Sequence, residues 1–330
     1  VINAKNETND YYEPILYKIQ PQDEGMILKN IMQRRMGISR KLLSRLKMTE
    51  QGVMLNGQHV YVSVKVQAGD LLEIRMEREQ SDDILPQPQQ IDVIYEDQHL
   101  LIVNKKAGII VHPTSGHYTD TLANGVVHYW QERGEKFRFR PVHRLDQDTS
   151  GVLAIAKNPY VHQHISEQMI QNTVQKRYHA YVHHVPAILQ DRIEGAIDRD
   201  LIEPHMRVVT PDGYPAATRY QVLESFPERD VSLVELELET GRTHQIRVHM
   251  KHIGCPLVGD RLYGYARPDH HIDSSSSIAH WDQLAGRQAL HAVELGFVHP
   301  VTGEEMLFHA PLPEDLAILD AALRGLGNSL

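Results

Sequence analysis

From residue 91 onward the chain carries short apolar segments set so close together that many of the connections between them cannot hold a crossover helix. They are Ile91 to Tyr95, Leu100 to Val103, Ile109 to His112, Val152 to Ala156, Tyr178 to Val182, Ala217 to Val222, Val231 to Leu238, Leu290 to Phe297 and Met306 to His309. Strands spaced in this way must pair largely antiparallel, because a parallel neighbour needs a return of a dozen or more residues. Helical spacing interrupts the series at 121–133, 158–171 and 243–253. The pattern predicts an α+β domain over 91–330, built on a large mixed, mostly antiparallel sheet with flanking helices. Within it, 266–286, with its serine run Ser274 to Ser277, reads as a surface excursion.

Residues 14–77 predict a smaller α+β domain. Ile38, Leu42, Leu43 and Leu46 recur at helical spacing, Val53 to Leu55 and Leu71 to Ile74 read as strands, and Asn56-Gly57 marks a tight turn. The polar segment 78–90, with two prolines and no periodicity, reads as a linker. A chain of 330 residues, 41% hydrophobic, has enough apolar material for both units. Its single cysteine, Cys255, has no partner for an internal disulfide, and the polar start VINAKNETND is unlike a signal peptide. No apolar run approaches the roughly 18 residues of a bilayer span. These features predict a cytoplasmic protein without a membrane role. The 34 Lys and Arg against 43 Asp and Glu give a net charge of −9, opposite to the usual balance of a nucleic-acid binder. Distribution modifies that impression, since residues 25–50 hold Lys29, Arg34, Arg35, Arg40, Lys41, Arg45 and Lys47 against one acid, Glu50. Phosphates can be met there while the rest of the surface stays acidic.

Three blocks carry chemistry. His143-Arg144-Leu145-Asp146-Gln147-Asp148-Thr149-Ser150-Gly151 places a carboxylate between cations and hydroxyls directly before a buried strand, which is how a reactive group is held on a rigid loop. An Asp before Thr and Ser can equally cap its own turn. Thr240-Gly241-Arg242-Thr243-His244-Gln245-Ile246-Arg247-Val248-His249 follows an apolar strand and begins the third helix. Lys176-Arg177-Tyr178-His179-Ala180 lies on a strand.

As spelled, H-R-L-D-x-x-T-S-G, T-G-R-T-H-Q-I-R-V-H and K-x-Y-x-A resemble the signature blocks of the RluA/RluD-type pseudouridine synthases, which isomerise uridine within RNA. Tyr95 to Gly108, His112-Pro113 and Leu290 to Pro311 extend the likeness over about 91–315, with Lys106 standing where the family writes Pro. Residues 14–77 resemble the S4-like RNA-binding module, which would present Arg40, Lys41 and Arg45 to an RNA backbone. The resemblance implies a catalytic domain over 91–330 with Asp146 as the catalytic carboxylate and Arg247 as its charge partner. It implies that Tyr178 serves as stacking wall and general base, and that His143, Arg144 and Arg242 contact RNA, with Arg144 filling the stack vacated by the extruded uridine. The reaction breaks the N1 glycosidic bond, turns the uracil and rejoins it through carbon 5, so neither metal nor cofactor is expected. Asp146 can serve as nucleophile or as base toward the 2′ hydrogen, and both routes stay open.

The 21 histidines invite a metal reading through His244, His249 and His252 or through His270-His271, but no H-E-x-x-H or Cys-His framework exists. Two rivals to the synthase are a non-catalytic RNA-binding or ribosome-assembly protein on the same scaffold, and a glycosidase using Asp148 as second carboxylate. The expected partner is RNA, ribosomal first and transfer RNA second, met by a monomer.

Overall fold

The computed structural model describes residues 10–267, 273 and 276–326. The N-terminal unit contains β1 (Ile15–Lys18), α1 (Leu28–Arg34), α2 (Arg40–Met48), β2 (Val53–Leu55), β3 (Gln58–His59) and β4 (Leu71–Ile74). Its four strands form one antiparallel sheet in the order β1-β4-β2-β3. Helix α2 begins where the Ser39 hydroxyl accepts the Leu42 amide, and it buries Leu42, Leu43 and Leu46 as their spacing predicts. Asn56 and Gly57, at φ 51° and 78°, make the two-residue turn between β2 and β3.

The larger unit runs through β5 (Val93–Glu96), β6 (Leu100–Lys105), α3 (Leu122–Glu132), β7 (Ser150–Ala156), α4 (Pro159–Ile170), β8 (Gln175–His183), β9 (Gln190–Glu194), β10 (Ile197–Arg199), β11 (Arg207–Val209), β12 (Ala217–Phe226) and β13 (Val231–Leu238). It continues with α5 (Gln245–His252), α6 (Ser277–Ala285), β14 (Leu290–Val298), β15 (Glu305–His309) and α7 (Glu314–Leu323). The main sheet is ordered β5-β6-β7-β14-β8-β13-β12-β9, with β15 also on β14 and β10 and β11 forming a separate ribbon. Every pairing in it is antiparallel except β7 with β14, which meet in parallel at Ser150/His291 and Gly151/Ala292. Strand β7 is buried along its whole length, and the core that includes it extends without a break from Tyr12 to Ala310. A second core packs α6 and α7 through Trp281, Leu316 and Leu319.

Two expectations are corrected. Residues 109–112 are not a strand: the carbonyls of Ile110 and Val111 accept the Leu122 and Ala123 amides, so they satisfy the open N-terminus of α3. The stretch 277–285 is not a surface excursion but the helix α6, capped by Ser276 and anchored by buried Trp281 and Ala285. His270-His271 lie outside the described residues. Segment 78–90 holds no helix or strand, yet Ile84 is buried and Glu79 pairs with Arg45, Arg138 and Arg140. The N-terminal unit also seats on α4: Tyr160 and His164 bond the Met36 carbonyl at 3.2 and 2.9 Å, and Gln163 bonds that of Gly37 at 2.7 Å. Among the described residues no helix is long and apolar enough to cross a membrane.

Candidate active site

The loop 143–149 enters β7 through Gly151, which is held at φ +117°, where a Cβ would lie 2.1 Å from the Ala292 carbonyl oxygen. Only glycine permits this close parallel contact with β14, which explains why the block ends as it does. The turn closes through the backbone, the Asp146 carbonyl accepting the Thr149 amide at 3.1 Å. The Asp146 carboxylate is therefore not consumed in capping its own turn.

Two nearly buried cations clamp the loop from below. The Lys105 ammonium donates to the carbonyls of Gln147, Ile109 and Lys106 at 2.9, 2.7 and 2.9 Å. Burial pushes Lys105 down to about 7, while three carbonyl acceptors favour the charged form. Arg287 donates to the Asp148 carbonyl at 2.8 Å and to the Ser150 hydroxyl at 3.1 Å, its fork held by Asp315. The Ser150 hydroxyl then donates to Nδ1 of His291, whose Nε2–H donates to the Ala310 carbonyl. Burial holds His291 down to about 4, consistent with a neutral ring.

The Asp146 carboxylate faces α5. Arg247 Nη1 lies 3.2 Å from Asp146 Oδ2, and the rest of the guanidinium is gripped by buried Asp260 through Nε–Oδ2 at 2.7 Å and Nη2–Oδ1 at 2.8 Å. Asp260 Oδ1 also accepts the Leu262 and Tyr263 amides. Burial alone would raise the Asp260 carboxyl, but Arg247 and these two amides outweigh it and hold it below the usual range. Arg247 is thus a preset fork whose Nη1 is left to face Asp146. His244 stands 3.9 Å from the same Asp146 oxygen.

Tyr178 on β8 lines the same cleft, and its hydroxyl has no hydrogen-bond partner among the described residues. Burial, then the Asp146 charge, push that hydroxyl well above the ordinary tyrosine range, so a phenol and not a phenolate faces the cleft. The cleft measures about 1410 Å³ and joins 110–114, the 143–149 loop, 238–247 and the Arg287 region. Arg144 stands exposed in its wall with no ion pair or hydrogen bond among the described residues.

Other expected RNA contacts fare differently. His143 Nε2 accepts the Ala154 amide at 3.3 Å, and burial lowers its pKa to about 4. The ring lines the cleft and joins the loop to β7, and at that pKa it is neutral near pH 7. Arg242 is exposed at the cleft, bonded to the Pro215 carbonyl at 3.2 Å. Arg40 and Lys41 stand exposed on α2, whereas Arg45 is engaged by Glu79, an acid in the segment that reads as a bare linker. On α5, His249 spends Nδ1 on the Thr218 hydroxyl and Nε2 on the Gly195 carbonyl. Lys105, Asp260 and Arg287 were not singled out by sequence. The available signals are a lysine ending the apolar run Leu100 to Val103 and an aspartate following Leu257-Val258.

A model of the RNA pseudouridylate synthase family matches residues 99–252, and one of the RluD ribosomal pseudouridine synthase N-terminal domain matches 16–72. The chain is 44% identical over 275 residues to the uncharacterized RNA pseudouridine synthase YlyB of Bacillus subtilis, covering 82% of this chain and 86% of that one. It is 35% identical over 292 residues to ribosomal large subunit pseudouridine synthase D of Zymomonas mobilis, covering 86% and 89%. Among solved structures, human RNA pseudouridylate synthase domain containing 4 superposes with a TM-score of 0.56 at 25% identity, over 71% of this chain and 93% of that one. Signature loops gathered at one cleft, a matching sheet and relatives aligned over most of their length lead to one conclusion: the chain belongs to the RluA/RluD-type family of RNA pseudouridine synthases, isomerases of uridine in RNA.

Proposed function

We propose that this enzyme converts specific uridines of ribosomal RNA, with transfer RNA as second candidate, using Asp146 as the essential carboxylate and neither metal nor cofactor. The observation that carries the proposal is the Asp146–Arg247–Asp260 arrangement, in which a carboxylate 27% exposed to the cleft is paired with an arginine that is itself buried and fixed from behind. The pairing holds the Asp146 carboxylate in one orientation, ready to engage the ribose as the N1 bond breaks. Arg144 takes the place of the extruded nucleotide, and Arg242 meets its phosphate. Tyr178 walls the loosened uracil, and its oxygen accepts the carbon 5 proton as the phenolic proton leaves to water in the cleft.

The match of 16–72 to an RluD N-terminal domain, and relatives named for the large ribosomal subunit, support ribosomal RNA as substrate. The N-terminal unit, S4-like in this proposal, supplies Arg40 and Lys41 to the RNA backbone. The enzyme acts as a cytoplasmic monomer.

The test uses ribosomal RNA transcribed with tritium at uracil carbon 5 and assays tritium released to water in metal-free buffer. Release that vanishes in Asp146→Asn while RNA affinity persists is the expected result. Near-normal release by that variant would refute the assignment, and release only after metal is added would refute the cofactor-free chemistry.

A further inference from the structure

His244 occupies a backbone conformation that side-chain-bearing residues adopt uncommonly, with φ 58° and ψ 19°, at the residue before α5. It makes no side-chain cap to the helix it precedes. Its ring instead spans Tyr263 and Asp146: Nδ1 lies 2.8 Å from the Tyr263 hydroxyl oxygen, and Nε2 lies 3.9 Å from Asp146 Oδ2. Strain of this kind persists only where surrounding contacts over-determine it.

The protons in this chain can be assigned. The Tyr263 oxygen accepts the backbone N–H of Arg207 at 2.8 Å, so its own proton is free to go to His244 Nδ1. With Nδ1 an acceptor, a neutral imidazole carries its proton on Nε2, facing the carboxylate. The opposite tautomer would leave the Tyr263 proton without an acceptor among the described residues and set a bare nitrogen lone pair toward Asp146. Burial keeps the ring below its ordinary pKa although Asp146 pulls it up, and Arg247 and Arg207 add to the lowering while Asp260 opposes it.

Both donors near Asp146 converge on one oxygen. Arg247 Nη1 bonds Oδ2 and His244 approaches Oδ2, while Oδ1 has no partner among the described residues. A single monodentate bond leaves a carboxylate free to exchange its oxygens by rotation, and a second donor on the same oxygen opposes that. We propose that His244 is a positioning residue of the uridine site, locked by Tyr263 as the Nε2–H tautomer, which together with Arg247 retains Oδ2 and presents Oδ1 to the nucleotide. The proposal rests on the role given to Asp146 above. Strand β11, through the Arg207 amide, becomes the remote end of the lock.

The experiment uses the full chain labelled with nitrogen-15 at histidine and follows two-bond nitrogen–proton correlations near pH 7, with His244 assigned by its loss in His244→Gln. The wild type is expected to show the Nε2–H pattern, and Tyr263→Phe, which keeps the ring and its packing, to shift His244 toward the other tautomer. On ribosomal RNA tritiated at carbon 5, His244→Gln and Tyr263→Phe are each expected to lower kcat by roughly ten- to a hundredfold. KM should stay within about twofold, and the double variant should be no slower than the slower single one, because both act through one ring. An Nδ1–H pattern in the wild type would overturn the lock, as would a Tyr263→Phe variant with unchanged tautomer. Additive losses in the double variant would overturn the shared route. Absence of tritium release from the wild type would instead count against the reading of the site, and the tautomer would still be decided by the spectrum.

Discussion

The cations around the Asp146 loop and those on the outer face of α2 have the same chemistry and opposite circumstances. Lys105, Arg247 and Arg287 are nearly buried, and each has its donors committed to named oxygens. Arg40 and Lys41 stand in solvent with no hydrogen bond or ion pair among the described residues. Buried cations in low dielectric hold geometry and are little screened by salt, whereas exposed ones meet a polyanion by releasing its counterions. Under the proposed function, the same residue types position the reactive group in one region and gather substrate in the other. Changes to the first should alter turnover and folding, and changes to the second should alter binding and its salt dependence.

Asp260→Ala should break the buried region most severely. It leaves the Arg247 fork without its partner inside the protein, which costs about 3–5 kcal/mol when one member of a buried pair is removed. Turnover should fall by roughly a hundredfold or more, because the freed guanidinium no longer approaches Asp146 from one direction. Urea unfolding together with tritium release checks both effects. A variant with normal stability would show that the buried cations are not held as described.

Lys105→Met should come next. It fills the same space but leaves the Gln147, Ile109 and Lys106 carbonyls without their donor, at a cost of about 2 kcal/mol. Turnover should drop by roughly tenfold as the loop loosens, with the salt dependence of RNA binding unchanged. A change in salt dependence instead would mean that Lys105 belongs with the phosphate-binding cations.

Acid should separate the regions too. Asp260, Asp315 and Glu79 all have folded-state pKa values below the ordinary carboxylate range, because their arginine partners outweigh burial. A depressed carboxylate contributes stability that is present above its unfolded value, near 4, and is lost as pH falls through the folded value. Unfolding free energy should therefore decline below about pH 4, and Asp260→Asn should flatten part of that decline. An acid limb of unchanged slope in this variant would remove Asp260 from the linkage.

The contrast also explains what sequence could and could not disclose. Asp146, Tyr178 and Arg247 stood out because each lies in a continuous block beside a strand or helix, and all three line one cleft. Their supports act across the fold: Lys105 reaches Gln147 from 42 residues away, and Arg287 reaches Asp148 from 139. For Lys105 the one local hint is the apolar run Leu100 to Val103 before it, and no local pattern marks Arg287 as buried. Short connections correctly implied antiparallel pairing, but the parallel meeting of β7 with β14 depends on a glycine that fits only once the partner carbonyl is in place. Ile109 to His112 looked like a strand because apolar residues also serve where a loop packs under a helix N-terminus, as the Ile110 and Val111 carbonyls do.

The smallest effect tests the exposed region. Arg40→Gln combined with Lys41→Gln should leave stability and the Asp146 geometry intact, since neither side chain has a partner to lose. If each meets one phosphate, the slope of log affinity against log salt should shrink by about 0.7 to 0.9 per residue, depending on whether the RNA there is single- or double-stranded. Arg45→Gln supplies the internal control. Because Glu79 already engages Arg45 and also pairs with Arg140 across the junction with the larger unit, its loss should lower stability slightly and change the slope little. Equal slope changes for Arg45 and for the exposed pair would mean that RNA displaces Glu79, and the distinction between committed and free cations would then have to be drawn in the complex rather than in the free protein.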